Sequence, residues 1–210
     1  MKSVCIIDYG MGNIKSLNNA IKKIGHKTYF FSENSEIKTK FAIIPGVGAF
    51  NSAMNIIKKN NIDKKIKNFL SKKNNFLLGI CLGKQLLYST SRENGINKGL
   101  NLINGKVNIL LNKKKAILPN VGWVKVFIKK NISSNFSFLE KFNGKSFYFI
   151  HSYTGIPHDK GNVLSTSKFE NKEFCSIVSN NKNIIGTQFH PEKSSVIGLE
   201  FLDSVIKKFA

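Results

Sequence analysis

The segment Phe76-Leu77-Leu78-Gly79-Ile80-Cys81-Leu82-Gly83 restricts the fold more than any other stretch of the chain. Phe76–Ile80 is an uninterrupted apolar run of strand length, the pattern of a strand buried on both faces. Glycines two positions either side of Cys81 let the chain turn sharply from strand to helix. The central side chain is then presented at the C-terminal edge of the sheet. A helix N-terminus at that point favours thiolate over thiol. The backbone N–H of Leu82 can face a developing oxyanion. The same spacing also suits a buried cysteine between two glycine turns. Cys5 and Cys175 show that second pattern, since each lies in an apolar strand and reads as core.

The rest of the chain fits around this elbow. Ser3–Asp8 reads as a strand. Asn13 caps a helix with Ile14, Leu17, Ala20, Ile21 and Ile24 at helical spacing, and Gly25 ends it. Lys27–Phe31 and Phe41–Ile44 read as strands. Phe50–Lys59 and Ile62–Lys72 return to helical periodicity, and Lys84–Tyr88 can be helical after the elbow. The second half is richer in strands, at Lys106–Leu110, Val124–Ile128, Ser146–Ile150, Asn162–Ser165, Phe174–Ser179 and Ile184–Thr187. Val196–Phe209 closes as a helix. This order predicts a mostly parallel α/β sheet with helices on both faces and an antiparallel extension. With 210 residues and no long linker or repeat, residues 1–210 read as a single domain.

Charge raises and then weakens a nucleic-acid reading. Thirty-three basic residues against 12 acidic ones leave a net charge of +21. However, Arg92 is the only arginine, and arginine is the residue suited to forked phosphate and base contacts. The lysines are scattered, with short runs such as Lys113-Lys114-Lys115, so they read as a solvated surface rather than a nucleic-acid site. The three cysteines show no zinc-type spacing and no disulfide framework, which fits a reducing cytoplasm without a bound metal. No apolar run has the length of a membrane span, and Val4–Ile7 is too short for a signal peptide.

A thiolate nucleophile needs a base, and the base needs an orienting group. Of the four histidines, His26 follows a helix stop and reads as a turn residue. His158 sits in a polar loop, and His151 ends the aromatic strand Phe147–Ile150. His190 is the best placed: it follows a strand, Pro191 stiffens its turn, and Glu192 can reach its imidazole from the same loop.

Taken together, Gly79-Ile80-Cys81-Leu82-Gly83 and Gln188-Phe189-His190-Pro191-Glu192 resemble the two catalytic motifs of class I glutamine amidotransferases. Further segments resemble, within that class, the glutaminase subunits of imidazole glycerol phosphate synthase. They are Asp8-Tyr9-Gly10-Met11-Gly12-Asn13, Pro45-Gly46-Val47-Gly48-Ala49-Phe50, Gly122-Trp123, Phe149-Ile150-His151-Ser152-Tyr153 and His190-Pro191-Glu192-Lys193-Ser194. The likeness spans essentially the whole chain.

The resemblance implies the three-layer fold of that class and cofactor-free hydrolysis of L-glutamine to glutamate and ammonia. Cys81 would be the nucleophile, His190 the base and Glu192 its orienting acid. Gly46, Val47, Gly48 and Leu82 would form a gated oxyanion segment, with glycines easing a peptide rotation beside Val47. Gln85, His151, Ser152 and Tyr153 would meet the substrate. Ammonia would pass to a (β/α)8-barrel synthase subunit in a heterodimer of histidine biosynthesis, with Asn13, Trp123, Tyr148 and Lys193 at the interface. Trp123 and Tyr148 also suit plain core packing. A paralogue feeding a different synthase, such as one amidating a surface sugar, would carry the same motifs. A basic binding protein without catalysis and a stand-alone cysteine hydrolase are the remaining alternatives. Two positions depart from the family pattern: Lys84 stands where methionine is usual, and Asn120 where histidine is usual.

Overall fold

A computed structural model describes residues 1–31, 36–111 and 118–210, so the Lys113–Lys115 run lies outside the described residues. The first half alternates as its periodicity requires. It runs β1 (Ser3–Ile7), α1 (Ile14–Lys23), β2 (Lys27–Phe31), β3 (Phe41–Ile44), α2 (Phe50–Lys59), α3 (Ile62–Ser71), β4 (Phe76–Ile80) and α4 (Leu82–Leu86). The side chain of Asn13 caps α1 by accepting the Ser16 N–H at 3.2 Å. Gly25, at φ +80, lets the chain leave that helix.

The second half begins with β5 (Tyr88–Ser91), β6 (Asn97–Lys98), β7 (Ile103–Ile109), β8 (Asn120–Lys125) and β9 (Phe127–Ile128). It continues with β10 (Ser146–His151), β11 (Tyr153–Pro157), β12 (Val163–Phe169), β13 (Lys172–Ser179), β14 (Ile184–Thr187) and α5 (Ser195–Phe209). An eight-stranded sheet runs β2-β1-β3-β4-β14-β13-β12-β9. Pairing is parallel from β2 to β14 and antiparallel from β14 through β13 and β12 to β9. The expected parallel core with an antiparallel extension is therefore present. A β8–β10 ribbon and a smaller sheet ordered β11-β7-β5-β6 stand apart from it.

Several boundaries differ from expectation. The helix expected over Lys84–Tyr88 ends at Leu86, and Tyr88 opens a strand instead. The strand expected over Val124–Ile128 is split at Val126 between the ribbon and the main sheet. A 3-10 segment over Ser134–Phe142, not among the expected elements, buries Phe136, Leu139 and Phe142 at a spacing of three residues.

Alternation along the parallel strands divides the core into two layers. Val4 and Ile6 of β1, Phe41 and Ile43 of β3 and Leu78 of β4 pack with α1, α5 and the Ser134–Phe142 segment. Cys5, Ile7, Ala42, Ile44 and Leu77 pack with α2, α3 and α4. Each fully buried Phe, Ile or Leu contributes about 1.5–3 kcal/mol. Cys5 and Cys175 are buried in these strands, as their apolar context implied. His26 is not a mere turn residue: it is buried, and its Nε2 meets Asp203 of α5 at 3.0 Å. Among the described residues no helix is long and apolar enough to cross a membrane.

Candidate active site

The strand ends of β4 and β14 create the site. They run parallel, Ile80 faces Thr187, and the pairing continues one step as the Cys81 N–H donates to Thr187 O at 2.8 Å. Cys81 and His190 are thus carried to the same C-terminal sheet edge, where ligands bind in open α/β sheets. Cys81 itself has φ +53 and ψ −106, a conformation that non-glycine residues rarely adopt. The elbow survives because its flanks are bare. A Cβ on Gly83 would collide with Ile44 O, and one on Gly79 would lie 2.9 Å from the Gly83 carbonyl. Strain of this kind persists where surrounding structure over-determines it.

A cavity of about 280 Å³ opens over the sulfur. It gathers ten of the residues expected at the site: Cys81 and His190; Val47, Gly48 and Leu82; Gln85, His151, Ser152 and Tyr153; and Lys193. Gly46 lies behind this wall, where a Cβ would approach Tyr9 Oη to 2.5 Å and Leu82 Cβ to 2.8 Å. Gly48 holds φ +100 beside Val47. The Gln85 side-chain amide donates to Tyr153 O at 2.9 Å.

His190 is 1% exposed, and its Nδ1 is 2.8 Å from Glu192 Oε1, whose side chain is itself 5% exposed. The Nδ1–H therefore donates to the carboxylate, leaving Nε2 for the cavity. Burial disfavours the imidazolium. The charge and hydrogen bonding of Cys81, and then of Glu192, outweigh it and push the His190 pKa up to about 10. Among the described residues Nε2 makes no hydrogen bond of good geometry. The thiol instead points at Ile150 O, 3.7 Å away.

His151 is held differently. Its Nδ1 is 2.9 Å from Tyr153 O, so that nitrogen carries the proton. Nε2 then accepts from the Asn120 amide at 3.2 Å. Burial, the largest influence, pulls its pKa down to about 3. Both ring nitrogens of this neutral imidazole are engaged, which separates it from the base role. Asn120, the departure from the family histidine, is the residue that completes this arrangement.

Two features escaped the sequence. Glu93 is the one carboxylate lining the cavity among the described residues, and its Oε2 accepts the Phe50 N–H at 3.1 Å. It lies in a polar turn with no motif to mark it. Lys84, the departure from the family methionine, is 0% exposed beneath the elbow. The expected interface residues sit outside the cavity, apart from Lys193 at its rim. Asn13 is exposed at the start of α1. Trp123, 54% exposed, meets Tyr148 edge-on across the β8–β10 ribbon with ring centroids 6.2 Å apart, so the indole is not core packing. Among the described residues no group of three or more His, Cys, Asp or Glu could hold a metal ion.

A strained cysteine at a strand-to-helix elbow, with a carboxylate-bound histidine just past the end of the neighbouring parallel strand, is the arrangement suited to thiol-dependent hydrolysis. The chain belongs to the class I glutamine amidotransferases: the family described as "Glutamine amidotransferase class-I" matches residues 5–205. Within that family it is 41% identical to imidazole glycerol phosphate synthase subunit HisH 2 of Methanococcus maripaludis, over 98% of this chain and 99% of that one. It is 38% identical to subunit HisH of Chlorobaculum tepidum, over 99% and 98%. Among solved structures the fold resembles that of PurLQS from Thermotoga maritima, with a TM-score of 0.74 and 18% identity over 100% of this chain and 98% of that one. The structure of a glutamine amidotransferase from Thermotoga maritima gives 0.62, with 16% identity over 98% and 82%.

Proposed function

We propose that this chain is the glutaminase subunit of an imidazole glycerol phosphate synthase, with residues 1–210 acting as one amidotransferase domain in the cytoplasm. The Cys81 sulfur attacks the side-chain carbonyl carbon of L-glutamine, and the carbonyl oxygen takes the negative charge. His190 accepts the thiol proton and returns it to the departing nitrogen, releasing ammonia and leaving a glutamyl thioester on Cys81. Water, deprotonated by His190, then cleaves the thioester to glutamate. Glu192 keeps the His190 Nε2 turned to the cavity throughout. Leu82 N–H and a donor from the Val47–Gly48 peptide, rotated inward, serve the oxyanion. Gln85, His151, Ser152 and Tyr153 shape the substrate end of the cavity. Glu93 matches the α-ammonium of glutamine.

Ammonia passes to a (β/α)8-barrel synthase subunit, which forms imidazole glycerol phosphate and an aminoimidazole carboxamide ribotide. The partner docks over Asn13, Trp123, Tyr148 and Lys193. The observation that carries the hydrolytic reading is the His190–Glu192 pair at the cavity that also holds Cys81. The test is glutamine turnover with and without the histidine-pathway synthase and its nucleotide ligand. Low activity alone, a rise of at least about tenfold in the complex and loss on Cys81→Ala are expected. Full activity in Cys81→Ala would overturn the mechanism. Stimulation only by another synthase would reassign the partner.

A further inference from the structure

The departure at Lys84 has a counterpart in the catalytic motif itself. Lys84 follows Cys81 by three residues on α4, and its stem crosses Gly186 of β14. A Cβ on that glycine would come within 2.8 Å of Lys84 Cγ, so glycine is what admits the lysine. The buried Nζ donates to Cys175 O at 2.6 Å and to Gln188 Oε1 at 3.2 Å. In its ammonium form Nζ can only donate, which fixes how the Gln188 amide is turned. Its oxygen must face Lys84, and its NH2 therefore faces the other way. There it lies 3.9 Å from Cys81 Sγ, as donor to sulfur.

We propose that Lys84 and Gln188 form a buried positioning pair that holds an amide N–H against the Cys81 sulfur. An N–H donor stabilises thiolate more than thiol, because charge-assisted bonds are about twice as strong as neutral ones. The pair thereby supports the nucleophile before glutamine arrives. This inference rests on Cys81 being the nucleophile. The ionisable groups around it are Cys175 on β13, Tyr88 on β5 beside that thiol, His151 on β10, and His190 with Tyr9 near the sulfur. Burial lowers the Lys84 pKa. The ammonium form, which has no lone pair, is the one that fixes the Gln188 amide.

The test measures iodoacetamide alkylation of Cys81 against pH, with the site read by peptide mass spectrometry, and synthase-stimulated turnover alongside. In Lys84→Met the alkylation curve should move to higher pH, with the rate at neutral pH falling about threefold or more. The same variant should gain in Tm, because a buried amine is replaced by an apolar side chain of similar volume. Gln188→Glu keeps an acceptor for Lys84 but removes the N–H from sulfur, so it should shift the curve further while remaining folded. Turnover should fall in kcat with KM little changed in both. Unchanged alkylation curves in both folded variants would overturn the pair. Retained turnover in Cys81→Ala would instead remove the nucleophile assignment beneath it.

Discussion

Two imidazoles share one cavity at the residue scale, and their surroundings drive them to opposite charge states. His190 has its pKa raised from 6.5 to about 10. Its contribution to stability is fully present below the unfolded value and is lost as pH rises toward 10. Tm should therefore fall between neutral pH and about 10, less steeply in Cys81→Ala, where the partner charge is gone. His151 has its pKa lowered from 6.5 to about 3, so between those values the unfolded chain binds a proton that the folded chain excludes. Its contribution is complete above 6.5 and lost as pH falls through that window. His151→Asn should flatten the acid side of a Tm-against-pH curve. An equal acid slope in the variant would show that His151 carries no such linkage. The sequence placed both histidines at strand ends but could not assign these roles. The difference lies in Glu192 and Tyr153 O, each two residues from its ring, and in Asn120, which only folding brings to His151.

The elbow and the ribbon make separate demands at the scale of elements. Gly83 packs flat against the end of β3, so Gly83→Ala forces the Ile44 carbonyl or α4 to move. A loss of about 3 kcal/mol, at the upper end for overpacking, is expected in thermal or urea denaturation. An unchanged midpoint would mean that the elbow yields freely. The ribbon presents Val121, Trp123 and Ile150 to solvent, with Tyr148 partly covered. Trp123→Ala should alter Tm little, since surface changes usually stay within about 0.5 kcal/mol. It should weaken synthase binding by at least about 2 kcal/mol if the indole anchors the interface. Titration calorimetry separates the two effects. Elements with a strong local pattern, such as the helical spacing of α1 and the apolar run of β4, were legible. The Tyr88–Ser91 strand was not, because its conformation is set by neighbours and not by a local repeat.

For the whole molecule, the net charge of +21 is a self-repulsion spread over a small surface. Raising ionic strength from about 0.01 M to about 0.15 M shortens the screening length from about 30 Å to about 8 Å. Tm should rise over that range. A flat response would show that the charges are already paired or well separated.

The sequence by itself determined the α/β alternation, the buried central strand, the elbow at Cys81 and the residue types of the candidate site. These are local signals, carried by a period of two or 3.6 residues or by glycines at set distances. Tertiary structure decided what lay between distant segments. Parallel pairing of β4 with β14 set Cys81 beside His190, a juxtaposition of residues 109 positions apart. Packing against Gly186 and β13 turned Lys84 inward to Gln188, although a lysine on a basic chain reads as solvent-facing. Contacts between segments distant in the chain are properties of proximity in space, and no local spacing encodes them.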